Sequence, residues 1–555
     1  MRKIRWHLAA VMTLGLVATA APAAAAAPAG PTVTGSGTVL SGINLETATV
    51  LDLQQAMDRG RLSSIGLTLF YLNRIRTLDR KLNAVIETNP QALRDAALSD
   101  VQRRKHGARS ALEGIPVLLK DNVDTADRQH TTAGSFALIN ARPARDAFLV
   151  KRLRAAGAVV LGKANLSEWA NFRSIESSSG WSGRGGQVNN PYVLDRNPCG
   201  SSSGSGAAAA ANLATVTIGS ETDGSIVCPS GANGIVGIKP TLGLVSRAGV
   251  VPISARQDTA GPMTRNVTDA AAVLSVIQGV DPRDPDTAPA APFVGRNYLQ
   301  ALNPNALQGK RIGVWRVEGD NAEVGAVLNA TIAKLQQLGA TVVDNVDLPG
   351  LDPVFEAEFP ALLVEFKHDI KAYLDGTGGQ HPADLAGLIA FNNAHADIEM
   401  PFFGQEIFEF AQETNGDLTD PEYLALRNTA TNGARNAIDS ALAANDLDAI
   451  LAPTNNAAWL TDLENGDDFT GFVGSSSPAA VAGYPNITVP AGYARQFLPL
   501  GVSFFGTRWS EPTLIALAFA FENATHIRKP PTFLPTLPEV QLTAQRVPAR
   551  QPRLW

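Results

Sequence analysis

Two polar, glycine-rich segments constrain this chain more than anything else in it. Asn197-Pro-Cys-Gly-Ser-Ser-Ser-Gly-Ser-Gly206 is followed by Gly219-Ser-Glu-Thr-Asp-Gly-Ser-Ile-Val-Cys-Pro-Ser-Gly231, and between them runs the apolar stretch Ala207 to Ile218. A flexible Gly/Ser linker would not resume a long apolar run within a few residues. The pattern instead ties two loops to one buried element. Glycine lets backbone N–H groups approach a ligand, and serine supplies hydroxyls that attack or relay protons.

The rest of the composition supports a folded chain with a sizeable core. Of 555 residues, 45% are hydrophobic and only 18% charged, enough for a large core and too little charge for extended disorder. Forty-six basic against 52 acidic residues give a net charge of −6. With no basic block, a nucleic-acid partner is not expected. The two cysteines cannot make a disulfide scaffold and show no CxxC spacing.

At the N-terminus, Arg2, Lys3 and Arg5 precede an apolar run from Leu8 to Ala21 and then an Ala/Pro stretch. This is the charged, apolar, small order of a secretory signal. Several Ala-x-Ala options lie around Ala25, so residues 1–27 are assigned to a signal peptide and 28–44 to a leader. The main domain is placed at 45–540 and a Pro/Arg-rich tail at 541–555. The expectation is an exported protein with no stable membrane association after cleavage.

Apolar spacing predicts helices from Thr47 and around Leu67 to Ile75, and a further, polar helix is expected over Pro90 to Lys105. Gly114 to Lys120 reads as a buried strand with polar residues at its exit. A helix over Ala147 to Ala156, a strand over Ala158 to Leu161 and a helix over Leu166 to Phe172 continue an α/β alternation around a central sheet. Further strands are expected at Gly234–Lys239, Lys310–Trp315, Ala340–Val346, Asp448–Ala452, Asn486–Pro490 and Pro499–Phe505. Helices are expected at 268–277, 322–338 and 512–522. Residues 353–431 read as long helices, an insertion suited to shaping a pocket. No repeat or linker divides the chain, so one large domain is expected.

Several chemistries are absent from the pattern. There is no GxxxxGK[ST], no HExxH, no metal-ligand spacing among the seven histidines and no Ser-x-x-Lys. No metal or cofactor is therefore predicted. Gly200-Ser-Ser-Ser-Gly204 does match GxSxG, with Ser202 as nucleophile and His526 as a possible base. That reading leaves the second loop without a role.

Gly200-Ser201-Ser202, Gly224-Ser225 and an upstream strand-end Lys120 together resemble the amidase signature family. The likeness extends through Gly162-Lys-Ala-Asn165, Gly234 to Thr241, Ser246 to Val250, Asp258-Thr-Ala-Gly-Pro262 and Pro485-Asn-Ile-Thr-Val-Pro490. Within the family, Ser220 to Pro229 and Arg256-Gln-Asp-Thr259 are similar to the peptide amidase branch. Many other members carry Gly-Gly where this chain has Asp223-Gly224. The resemblance implies an α/β fold, a single large domain whose central mixed β-sheet is covered by helices on both faces. It also implies a Ser–Ser–Lys triad: Ser225 as nucleophile, Lys120 as base and Ser201, after a cis peptide bond, as the bridge. The backbone N–H groups of Thr222, Asp223, Gly224 and Ser225 would form the oxyanion hole.

The chemistry suits these roles. An attacking hydroxyl must lose its proton as it adds to an unreactive amide. A lysine accepts that proton only when neutral, and burial lowers its pKa. A bridging hydroxyl can pass the proton without histidine. Lys163 is a rival base, placed at a loop-to-helix junction. Ser202, Ser203 and Ser205 read as structural hydrogen-bonders. Asp258 either orients the signature loops or merely caps a turn, and Cys199 and Cys228 are either a disulfide or two buried thiols. The expected function is an exported amidase that hydrolyses a terminal carboxamide, on peptide amides, to the acid and ammonia with water as co-substrate. Alternatives are a broad-specificity secreted acyl or aryl amidase or esterase, and an inactive amidase-like binding protein.

Overall fold

Short buried runs become the strands of one sheet in the computed structural model, which describes residues 37–538. In chain order these are β1 (Val85–Thr88), β2 (Pro116–Lys120), β3 (Val159–Ala164), β4 (Val216–Glu221), β5 (Val236–Lys239), β6 (Thr259–Thr264), β7 (Arg311–Val314), β8 (Thr341–Val343), β9 (Ala449–Pro453), β10 (Asn486–Ala494) and β11 (Leu498–Phe505). Their order across the sheet is β8-β7-β9-β11-β10-β5-β6-β4-β2-β3-β1. The sheet is mixed. β4-β2-β3 and β8-β7-β9 run parallel within each group, and the remaining pairs are antiparallel. Helices flank it, and the main core joins strand residues such as Val117, Leu118 and Ile218 to helical Leu67, Val273 and Phe521. Strands buried on both faces read as continuous apolar runs, which is why β2, β3 and β9 are legible in the sequence.

Two strands are not. β6 carries Gly261 and Pro262, which depress any strand signal, yet it pairs with both β4 and β5. β1 is a four-residue edge strand. Three expectations need correction. The single buried element between the loops is a helix, Ser203–Ala210, and then β4. β3 runs on through Lys163 to Ala164 because it is paired on both sides, so Lys163 is a strand residue. The helix expected over Leu166–Phe172 is only a short turn at Glu168–Asn171, with Trp169 at φ 47° and Ala170 at φ 56°. Tertiary contacts override propensity there: Trp169 donates its N–H to Ala133 O at 2.9 Å and packs edge-on to Phe408.

The end of the expected leader forms a small hairpin, Val39–Leu40 with Ile43–Asn44. The signal peptide, most of the leader and the 541–555 tail lie outside the described residues. The insertion is helical as expected, over Asp352–Gly376, Leu385–Ala394, Glu406–Glu413 and Pro421–Asn445. Its one departure is a two-residue strand, Gly378–Gly379, paired with Ala141–Arg142. The insertion packs its own apolar cluster, including Phe366, Leu374 and Phe408, against Trp169 and Phe172.

Candidate active site

The carboxyl ends of the parallel strands β2 and β4 bring the predicted residues together, the usual place for a site in such a sheet. Lys120 is the last residue of β2 and is fully buried. β2 pairs in parallel with β4 up to Leu119 opposite Ile218, and just beyond that pair Nζ lies 2.8 Å from Ser201 Oγ, 3.0 Å from Ser220 Oγ and 3.1 Å from Ser220 O. Burial lowers the Lys120 pKa to about 7, against the opposing pull of Asp258 and Glu221. A neutral amine has two N–H groups and one lone pair. Ser220 O and Oγ can take the two N–H groups, which leaves the lone pair for the Ser201 hydroxyl.

Ser201 follows a cis Gly200–Ser201 peptide bond. The next helix starts at Ser203 and is built of small residues because a Cβ at Gly204 would collide with the Ala84 and Asn165 carbonyls. Ser202 donates to Ser220 O at 3.0 Å and accepts from Ser220 N–H, Ser203 donates to Cys199 O, and Ser205 donates to Ile218 O. These three are structural, as expected. Ser202 is fully buried, and His526 caps the last helix and lines a different cavity, so the GxSxG elbow reading fails.

Ser225 follows Gly224, whose φ of +75° turns the chain. The two loops touch through Ser202 N–H donating to Ser225 O at 3.2 Å. A hydrogen bond between the Ser201 and Ser225 hydroxyls is not formed among the described residues. The second loop is clamped from behind. Glu221 accepts from Ile226 and Val227 N–H at 2.7 and 3.0 Å; burial raises its pKa, and Lys239 opposes that rise. Thr222 donates its hydroxyl to Asp258 at 2.6 Å, and Asp258 also accepts from Ile253 and Ser254 N–H. Asp258 thus orients the loop, with its pKa raised to about 6 by burial. Gln257 donates to Thr222 O at 3.0 Å and is itself held by Arg427 of the insertion.

Lys163 is satisfied elsewhere, donating to Val123 O at 2.7 Å and Thr131 Oγ1 at 2.9 Å. Cys199 and Cys228 are joined as a disulfide across the two loops. The loops open into a cavity of about 320 Å³ lined by Thr222, Asp223, Gly224 and Ser225, the disulfide, and apolar groups that include Phe172 and Leu362. Larger clefts exist, one of about 540 Å³ beside Arg256 and Asp369, but Ser225 does not line that one.

Sequence reasoning missed Ser220 and Asn122. Asn122 donates to Ser220 Oγ at 2.9 Å and so fixes the residue that holds Lys120. Ser220 stands inside the quoted motif, but only the parallel register shows that it reaches the lysine. Asp467 and the aromatic residues near it were also missed, although aromatics in a Gly/Asp-rich loop were a visible signal.

The family model described as Amidase matches residues 66–515. A probable amidase of Arabidopsis thaliana is 44% identical over 502 residues, 89% of this chain and 93% of its own length. A native peptide amidase structure from Stenotrophomonas maltophilia superposes with a TM-score of 0.83 at 50% identity, covering 88% of this chain and 99% of that one. The structure of an amidase family protein from Bacillus anthracis superposes with a TM-score of 0.79 at 35% identity, covering 88% of this chain and 93% of that one. The chain belongs to the amidase signature family, and is an amidohydrolase acting on amides with peptide amidase among its structural neighbours.

Proposed function

We propose that the protein hydrolyses the C-terminal carboxamide of peptides to carboxylate and ammonia through a Ser225–Ser201–Lys120 acyl-enzyme mechanism. The observation that carries this reading is the buried Lys120 with its lone pair left to Ser201. The Ser225 hydroxyl attacks the carbonyl carbon as its proton passes to Ser201 and the Ser201 proton passes to Lys120. Ser225 Oγ comes within hydrogen-bond reach of Ser201 Oγ as substrate binds, since such contacts tighten in the Michaelis complex.

Negative charge then develops on the carbonyl oxygen. Ile226 and Val227 N–H are already taken by Glu221, so the N–H groups of Thr222, Asp223, Gly224 and Ser225 are the donors left to face it. Each such donor is worth about 3 kcal/mol in the transition state. The C–N bond breaks as the proton returns through the same relay to the departing nitrogen. Water repeats the sequence on the ester, the Ser225 Oγ–C bond breaks, and the acid leaves. The peptide amide as substrate is supported by the resemblance of the Ser220–Pro229 and Arg256–Thr259 segments to the peptide amidase branch.

The test is ammonia release from a C-terminally amidated dipeptide, with Ser225→Ala as control. Turnover of aryl or aliphatic amides with none on the peptide amide would overturn the substrate, and full activity in Ser225→Ala would overturn the mechanism. Failure of a serine-directed phosphonate to label Ser225 would favour a binding protein instead.

Export belongs to the same proposal. It rests on the charged, apolar, small order of residues 1–27 and is supported by the Cys199–Cys228 disulfide, a bond that persists in oxidising compartments. Fractionation of cells expressing the full chain tests it, with a mature N-terminus beginning near residue 28 expected outside the cytoplasm. Uncleaved cytoplasmic protein would refute it.

A further inference from the structure

The cavity beside Ser225 has an aromatic wall that the hydrolytic chemistry does not use. Trp459, Phe469 and Phe472 form a mutual cluster, with ring centroids 5.4 to 6.3 Å apart. Phe469 is 59% exposed and Phe472 38% exposed, although both line the cavity. Trp459 packs inward on the disulfide, but Phe469 and Phe472 are left uncovered at the cleft, and such an apolar patch marks a place where a ligand completes the burial.

This wall is fixed relative to the reacting groups. Asp467, in the same loop, accepts from Ser179 N–H and Asn197 Nδ2 at 3.0 Å and from Trp459 Nε1 at 3.2 Å. Asn197 in turn donates its backbone N–H to Trp459 O at 2.8 Å. Asn197 begins the segment that ends at Ser201, and Trp459 packs on the Cys199–Cys228 pair. Phe172, Ile253 and Leu362 line the same cavity. The charged types in the lining are Asp223 and Asp467, and it includes no lysine, arginine or histidine. An acidic side chain placed here would lose its hydration and find no cation.

We infer that Trp459, Phe469 and Phe472 receive an apolar or aromatic side chain on the residue that carries the scissile carboxamide, and that the lining excludes acidic side chains there. This rests on the peptide-amide reading and names its substrate class. A cavity of about 320 Å³ suits one large side chain together with the carboxamide.

The experiment compares N-acetylated dipeptide amides ending in Phe, Leu, Gly or Glu, with ammonia release giving kcat and KM for each. The wild type is expected to favour Phe and Leu over Gly by about tenfold or more, and over Glu by more still. The Phe469→Ala/Phe472→Ala variant is expected to lose about tenfold more on the Phe amide than on the Gly amide, mostly in KM. Equal wild-type rates on Phe, Gly and Glu amides would overturn the inference, as would parallel losses in the variant. Phe469→Ala alone, at the more exposed ring, repeats the comparison if the double variant folds poorly. Should the wild type release ammonia from none of the four, the peptide-amide reading fails, and protection of Ser225 from a phosphonate decides the wall separately. Stronger protection by N-acetylphenylalaninamide than by N-acetylglycinamide supports the wall, and equal protection overturns it.

Discussion

Lys120 should impose a pH dependence that can be read in activity and in stability. Its pKa of about 7 means that roughly one-tenth of the free enzyme carries a neutral lysine at pH 6, half at pH 7 and nine-tenths at pH 8. With a lysine at its ordinary 10.5, only about one molecule in three thousand would be competent at pH 7. The expected kcat/KM for ammonia release therefore rises about tenfold from pH 6 to pH 8, with unit slope below pH 7. Asp258→Asn removes a carboxylate that favours the ammonium form, so the acid limb should move to lower pH. Asp258 itself titrates near 6, so a limb belonging to Asp258 would vanish in that variant rather than shift. Stability follows with a definite sign. Between pH 7 and 10.5 the unfolded chain binds a proton that the folded chain does not, so this group makes stability rise with pH across that window. Below pH 7 its full cost, on the order of 5 kcal/mol, is present. Lys120→Met removes that cost and three hydrogen bonds worth about 1 kcal/mol each. The inactive variant should thus gain about 2 kcal/mol over the wild type at pH 7, with the gain shrinking toward pH 10.5. A flat activity profile from pH 5 to 8, or a Lys120→Met gain that grows with pH, would refute the reasoning.

Three other perturbations are informative. The Cys199–Cys228 disulfide spans 29 residues, so Cys199→Ser/Cys228→Ser should lose about 3 to 4 kcal/mol in chemical denaturation, and unchanged stability would mean that the link constrains nothing. Arg427→Met strips Glu365 of its bidentate partner and Gln257 of its anchor. A loss of about 3 to 5 kcal/mol is expected, with kcat falling more than KM rises because Thr222 loses its backing through Gln257; an unchanged kcat would detach that network from the oxyanion loop. Glu522 is buried beneath Val267 N–H with its pKa raised to about 8. The folded chain therefore holds a proton that the unfolded chain gives up, and stability from this group falls as pH rises from about 4.5 to 8. Glu522→Gln should flatten that decline in thermal melts, and an unchanged slope would assign it to other groups.

The parts of the fold that could be read in advance have their cause written locally. β2, the first part of β3 and β9 are continuous apolar runs, and residues 353–431 show helical spacing. β6 could not be read, because Gly261 and Pro262 argue against a strand until β4 and β5 supply its partners. The turn at Trp169 was misread as a helix because its periodicity was real, while the contacts that break it come from Ala133 and Phe408.

At the site, local sequence marked the two serine loops, whereas Lys120, whose place at a strand end suits a surface lysine as well, was singled out only beside those loops and through the family resemblance. The loops depend on residue type and short-range order, which any chain displays. The partners of the Lys120 amine were not visible there: Ser220 reaches it only because β2 and β4 lie side by side in parallel register, and Asn122 in turn donates to Ser220 Oγ. The disulfide, the rejection of Lys163 and the aromatic wall over Ser225 were likewise settled by proximity between segments distant in the chain. A sequence specifies which groups are present and how each prefers to fold, but hydrogen-bond partners and burial are properties of neighbours in space, and those exist only once the sheet has assembled.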